Sequence, residues 1–221
     1  GKMKPAAAAI LAVAFLVIGS DLLFKTSVTA GLLGWVTVVL YNGFYTLWWK
    51  KKWIFAAIPG ALPGALPVTI GFAANNENIW SSDSIYLFLI MFLWQMPHFW
   101  TLAIKYKEDY AKGGVPTLPV ALGLHRTFYH MGLWTFLYVA VAVASPWFVQ
   151  ASWMYLLLVF PFAFKVIQEF WRFYTSNGEK RWLAFFMWTN LSMLIFLFVP
   201  GLYKWSFPLI HHNWACGISI C

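Results

Sequence analysis

The feature that most constrains this chain is a series of about seven apolar runs, each near the 20 residues that a bilayer-spanning helix needs. They lie near 5–24, 27–49, 54–74, 84–104, 127–148, 151–173 and 182–203. In lipid, a backbone polar group finds no water. Runs of this length are therefore stable only as helices that satisfy their own N–H and C=O groups. The expected fold is all-α, a polytopic transmembrane helical bundle. Composition agrees: 10% of the 221 residues are charged, against roughly 25% in a soluble domain. The net charge of +8 is read loop by loop. Lys2, Lys4, Lys50, Lys51, Lys52, Lys105, Lys107, Lys112, Arg126, Arg172, Lys180 and Arg181 fall on one side. Lys25 and Lys204, with Glu77 and Asp83, fall on the other. That asymmetry marks the first side as cytoplasmic. The partner it implies is a lipid bilayer and not nucleic acid. One membrane domain is expected over 1–203, followed by a tail over 204–221. The opening "GKMK" has the charge of a signal-peptide start, but no A-x-A cleavage site follows the apolar run. Cys216 and Cys221, with His211 and His212, read as incidental features of the tail.

The apolar runs are interrupted in informative places. "IPGALPGALPVTIGF" sets Pro59, Pro63 and Pro67 four residues apart. Each proline removes a backbone donor and strains the preceding turn. Gly60 and Gly64 allow another helix to approach closely. This segment is either a kinked packing helix or a broken helix lining a cavity. Aromatic residues make up 21% of the chain. Trp48, Trp49 and Trp53 suit an interfacial belt. Trp94, Phe99 and Trp100 lie inside a run and are either core or the walls of a site for a flat or cationic guest.

Two clusters carry candidate chemistry. The first is "WQMPHFWTLAIKYKEDYAKGGVPTLPV". If its helix continues past Lys105, then His98, Leu102, Lys105 and Asp109 share one face. At 1.5 Å per residue, Asp109 stands about 16 Å above His98. Asp109 has two readings: an exposed ion-pair ladder with Lys105 and Lys112, or a ligand for a cation. His98 is either a bonded core histidine or functional, since ionisable groups at membrane depth usually mark a site. The second cluster is "YNGFYTLWWKKKW". Tyr41 and Tyr45 are one turn apart, before Lys50, Lys51 and Lys52. These lysines are either a membrane anchor or half of an anion site. A carboxylate repels a diphosphate, but a hard cation such as Mg2+ bridges the two. Both clusters open on the same side, so they can meet. Asn190 reads as an interhelical hydrogen-bonding group, and Lys165 and Glu169 as an i, i+4 pair.

"YTLWWKKK", "GALPGALPVTIGFAA", "LWQMPHFW", "KYKEDYAKGGVPTLPV" and "GLHRT" occur in that order. Together they resemble the heme O synthase (protoheme IX farnesyltransferase) branch of the UbiA family of intramembrane prenyltransferases, over about residues 1–200. The resemblance implies a ring of helices, usually nine, of which about seven are present here. It implies farnesyl diphosphate as donor, heme B as acceptor, and heme O and diphosphate as products. It also implies a bacterial cytoplasmic membrane, with the site on the cytoplasmic side. Heme A synthase and terminal-oxidase assembly proteins are the partners it suggests.

By the same resemblance, Asp109 holds Mg2+ against the diphosphate, and Lys50 and Tyr45 share the catalytic site. Tyr41, Lys51, Lys105, Lys112, Trp94, His98, Tyr110 and Arg126 are its expected substrate-binding residues. Lys51 stands where arginine is usual, which removes a bidentate grip. The family's first carboxylate motif, N-D-x-x-D, has no match here. The expectation is a fragment lacking about two helices and inactive alone. Two other readings stay open: prenyl transfer to an aromatic ring, and a transporter or heme-handling membrane protein.

Overall fold

The computed structural model describes residues 4–76, 78–149 and 155–215, with side chains described as far as residue 201. Glu77, the side chains of Lys204, His211 and His212, and both cysteines lie outside the described residues. The described chain is helical throughout, connected by short turns. Helix α1 is Pro5–Thr26. Helix α2, Val28–Val38, runs on through a π-helical segment, Val39–Trp49, into α3, Lys50–Lys52. Then come α4 (Ala57–Ala73), α5 (Ser82–Lys105), α6 (Lys107–Lys112) and α7 (Leu118–Ala121). Last are α8 (Gly123–Val143), α9 (Ser145–Phe148), α10 (Tyr155–Thr175) and α11 (Trp182–Ala215). Helix α11 thus continues past residue 203, where the apolar run was expected to end.

Four of these segments are long and apolar enough to cross a membrane: Pro5–Thr26, Val28–Lys52, Ser82–Lys105 and Trp182–Gly201. Helix α4 is a shorter apolar helix. Helices α8 and α10, 21 residues each, have the length, about 30 Å at 1.5 Å per residue. They carry more polar side chains, among them Arg126 and His130 on α8 and Lys165 and Glu169 on α10.

Helix α5 is the central post and packs against α4, α8 and α11. Its inward face builds two stacked layers. One contains Met96, Trp100, Ile104, Phe128, Met131, Phe173 and Phe185. The other contains Tyr86, Ile90, Leu93, Tyr138, Tyr155 and Phe196. The buried phenols are satisfied locally. Tyr86 donates to the Phe196 carbonyl at 3.0 Å, and the Tyr138 hydroxyl meets Ser192 at 2.9 Å. Such bonds matter in a bundle where apolar burial alone does not discriminate helix from lipid.

The proline-rich segment resolves as a packing helix. Helix α4 is unbroken from Ala57 to Ala73 with Pro63 and Pro67 inside it. Gln95 reaches across from α5 and donates to the Ala61 carbonyl at 3.1 Å and to its own Met91 carbonyl at 2.9 Å. A Cβ at Gly64 would overlap the Gln95 side chain, and a Cβ at Gly60 would stand 2.6 Å from the Tyr45 ring. The two glycines are therefore where a neighbouring helix comes close. Gly60 also sets the position of Tyr45.

At one end of the bundle, α10 is tied to α11 by a buried carboxylate. Glu169 is fully buried and pairs with Lys165 at 3.0 Å, Arg172 at 3.0 Å and Arg181 at 2.7 Å. The connecting turn needs three left-handed residues, Asn177, Gly178 and Arg181. Glycine adopts that backbone freely and asparagine tolerates it, whereas arginine resists it. The Arg181 guanidinium, which reaches both Glu169 oxygens, offsets the strain.

Candidate functional site

The second helix delivers Tyr45 and Lys50 to the end of the bundle that carries the lysine clusters. Its π-helical stretch holds Tyr41 and Tyr45 together, with ring centroids 5.5 Å apart, and Thr46 donates to the Tyr41 carbonyl at 2.8 Å. The chain then turns at Trp53, whose backbone is extended, and enters α4. From the other side, the 106–117 segment leaves α5 and returns. Tyr45, Lys50, Phe99, Tyr110 and Thr117 line one cavity of ≈ 100 Å³ between these segments, floored by Ile54, Ala56 and Ala57. Tyr110 packs edge-on against Phe99 at 6.1 Å. Burial raises its phenol above the usual range, which keeps it a hydrogen-bond donor.

Asp109 lines a separate cavity of ≈ 350 Å³ with Lys105, Lys107, Glu108 and Glu179. Its side chain is exposed. It enters none of the ion pairs found among the described residues. The ladder with Lys105 and Lys112 does not form. Lys105 instead sits over the Trp182 ring at 5.2 Å.

The single helical stripe from His98 to Asp109 also fails. Tyr106 leaves the helical region at φ −107° and ψ 30°, ending α5 and starting α6. Past Lys105 the apolar periodicity stops, and nothing obliges the chain to keep its direction once it is out of the lipid. The two clusters do meet, but through Tyr110 and Lys50, not through Asp109.

His98 lies elsewhere, between α5 and α11. Its ring is 4.5 Å from Trp94 and 4.7 Å from Phe186. The Asn190 side chain donates to the Phe186 carbonyl of its own helix at 2.7 Å. The bond found for Asn190 is therefore within its helix, where the sequence suggests an interhelical one. The His98 Nδ1 has no partner. Lys51, Lys112 and Arg126 are exposed, and none of them lines either cavity.

The donor set bears on a metal. No group of three or more His, Cys, Asp or Glu side chains able to hold an ion occurs among the described residues. A dedicated protein cage is therefore not built here. Mg2+ needs less, since it is held by one or two carboxylates together with substrate phosphates and waters. The free Asp109 fits one such ligand.

Comparison with known proteins follows this geometry. The UbiA prenyltransferase family matches residues 1–191. A protoheme IX farnesyltransferase of Bdellovibrio bacteriovorus is 64% identical over 213 residues, covering 96% of this chain and 73% of that protein. One from Shouchella clausii is 32% identical, covering 90% of this chain and 63% of that protein. Protoheme IX farnesyltransferase 1 of Lysinibacillus sphaericus is 36% identical, covering 66% and 48% respectively. The chain therefore spans about half to three quarters of the length of these relatives. No solved structure matches it. On the extent of the family match and of the Bdellovibrio alignment, the chain belongs to the UbiA prenyltransferase family, as an all-α membrane protein.

Proposed function

We propose that this chain carries part of the active site of a heme O synthase, which moves a farnesyl group from farnesyl diphosphate to a vinyl group of heme B. The observation that carries the reading is the ≈ 100 Å³ cavity that brings together Tyr45, Lys50 and Tyr110. Asp109, on the same short helix as Tyr110, lines a separate cavity against the 177–179 turn, and its side chain enters no ion pair among the described residues. The names of the relatives supply the reaction.

The leaving group of an allylic diphosphate departs with the electron pair of its C–O bond. Lys50 faces that anion where its charge develops, and the phenols of Tyr45 and Tyr110 donate to it. Asp109 would hold Mg2+, which supplies charge neutralisation on the phosphate oxygens. The allylic cation needs an electron-rich face and a dry surrounding. The Tyr41–Tyr45 pair supplies the first, and the membrane bundle the second. The vinyl group of the heme attacks that cation, water adds to the carbocation so formed, and a proton is released.

His98 would take the porphyrin. What supports it is a buried Nδ1 without a hydrogen-bond partner, on a ring packed between Trp94 and Phe186. Lys51, Lys112 and Arg126 stand outside both cavities, as exposed cations that attract an anionic substrate to this end. The lysine and arginine asymmetry supports a cytoplasmic face for that end. A bacterial cytoplasmic membrane is the location we propose, on the strength of the relatives' bacterial sources. The product is membrane-bound, so a heme A synthase or an oxidase assembly protein is the partner to look for.

The test is product analysis. Membranes containing the full-length protein that carries this chain receive heme B and farnesyl diphosphate. The expected outcome is heme O with one diphosphate released per heme. Release of diphosphate with a prenylated aromatic ring in place of heme O would move the chain to another branch of the family. No release at all would leave a carrier.

A further inference from the structure

Glu169 gathers more positive charge than it can cancel. Lys165, Arg172 and Arg181 all pair with this one carboxylate, so the cluster holds two cations in excess. Glu179, the next acid along the chain, lines the Asp109 cavity instead and enters none of the ion pairs found among the described residues. The three cations are not equivalent. The Lys165 ammonium also donates to Gln168 at 2.8 Å and lies over the Trp188 ring, so its contacts are made within the bundle. Arg172 and Arg181 have side chains that are 48% and 46% exposed. Arg172 reaches Glu169 through Nη1 alone, and Arg181 through Nε and Nη2. A guanidinium carries five N–H donors. Nε and Nη2 of Arg172 and Nη1 of Arg181 therefore keep theirs, with no bond among the described residues, on side chains open to the surroundings.

The backbone adds charge of the same sign. Arg181 immediately precedes Trp182, the first residue of α11, and no acidic residue stands in the first turn of that helix. No bond is found for the backbone N–H groups of Trp182, Leu183 and Ala184; the first tie is Phe185 to the Arg181 carbonyl at 2.9 Å. A helix start is the positive end of its dipole, so an arginine placed there is unfavourable until an anion joins it. Glu169 is one such anion, and it is already outnumbered. Depth decides what other anion is at hand. Arg172 lies in the last turn of α10. On either side of it in the chain stand Trp171 and Tyr174, both exposed, with rings 5.8 Å apart. Exposed aromatics of this kind mark the headgroup level of a bilayer, and the lysine and arginine asymmetry marks this end as cytoplasmic. Basic pockets between transmembrane helices on that side recognise anionic lipid headgroups.

We propose that Arg172 and Arg181, held by Glu169 at the cytoplasmic end of the α10–α11 seam, bind the phosphate of an anionic phospholipid. The buried carboxylate fixes the two guanidinium forks, and their remaining N–H groups offer the planar donor pairs that a phosphate accepts. The lipid then ties α10 to α11 from outside, as Glu169 does from inside. The inference does not rest on the prenyl-transfer reading, since none of these residues lines the cavity of Tyr45 and Lys50 or that of Asp109.

The experiment follows thermal unfolding of the full-length protein in a neutral detergent while phosphatidylglycerol, phosphatidylcholine or inorganic phosphate is added. Phosphatidylglycerol should raise Tm saturably, as a ligand of the folded state does, and the other two should not. Arg172→Gln leaves Glu169 paired with Lys165 and Arg181 and removes the fork with more free donors. It should weaken the phosphatidylglycerol midpoint about 10-fold, the scale of one charge-assisted hydrogen bond. Lys52→Gln removes an exposed cation of α3 at the same end and should move the midpoint less than about 2-fold. Arg172→Lys keeps the charge without the fork and should fall between the two; it carries the same contrast if the glutamine variant does not accumulate. A parent whose Tm does not respond to phosphatidylglycerol overturns the site. Equal stabilisation by phosphatidylcholine also overturns it, since acyl chains alone are then bound. Equal stabilisation by inorganic phosphate overturns the lipid as the occupant. An Arg172→Gln midpoint no weaker than that of Lys52→Gln leaves only the diffuse attraction of a basic surface, and overturns the inference as well.

Discussion

Glu169 and Asp109 are carboxylates at the same end of the bundle, held in opposite ways. Glu169 is fully buried and saturated by three cations drawn from two segments. Asp109 is exposed, and its side chain is unpaired among the described residues. A buried carboxylate survives only if its partners replace the water it lost, and Glu169 has no capacity left for a ligand. Asp109 keeps all of its capacity, in a cavity it shares with Lys105, Lys107, Glu108 and Glu179. The comparison separates a carboxylate that holds helices together from one that is available to a bound cation.

The sharpest way to break that comparison is to neutralise each carboxylate in turn, in the full-length protein. Asp109→Asn should lower heme O formation by roughly 100-fold or more, on the scale of losing one preorganised electrostatic contact to a transition state. Tm should hold, because no ion pair is lost. Turnover within a few-fold of the parent would remove Asp109 from the metal site. Glu169→Gln should do the reverse. It strands three cations, two of them about half exposed and so partly solvated. The cost should sit near the lower end of the roughly 3–5 kcal/mol seen for broken buried pairs. Thermal unfolding in detergent reads it. A Tm equal to the parent's would show that the cluster is not a tie between α10 and α11.

These two residues also show what was legible beforehand. Lipid permits few alternatives to helix, so the apolar runs located the spans closely. The run at 84–104, for instance, is Ser82–Lys105 in the structure. Lys165 and Glu169 announce themselves by i, i+4 spacing. Arg181 does not, because it reaches Glu169 only through a turn with three left-handed residues. The break at Tyr106 was hidden for a similar reason. It lies where lipid stops enforcing helix, and tertiary contacts such as Lys105 on Trp182 take over. Tyr45, Lys50 and Tyr110 could be picked out by motif.

Lys105 tests the comparison from the side of the cations. It is one of the site lysines expected from sequence, and it lines the Asp109 cavity. Its ammonium lies 5.2 Å from the centre of the Trp182 ring, at the first residue of α11. Lys165 is placed in much the same way, 5.5 Å over Trp188 while it pairs with Glu169. Lys105 therefore resembles the structural cations more than it resembles Lys50, which lines the cavity with Tyr45 and Tyr110. A cation–π contact at an exposed site contributes about 0.5–1 kcal/mol. Lys105→Met keeps the aliphatic stem on the ring and removes the charge. It should lower Tm by only a degree or two and change KM for farnesyl diphosphate by less than about 3-fold, since a single screened charge at this rim is worth no more. A KM increase of 10-fold or more at constant Tm would place Lys105 with Lys50, as a cation that leaves its aromatic platform to hold the diphosphate.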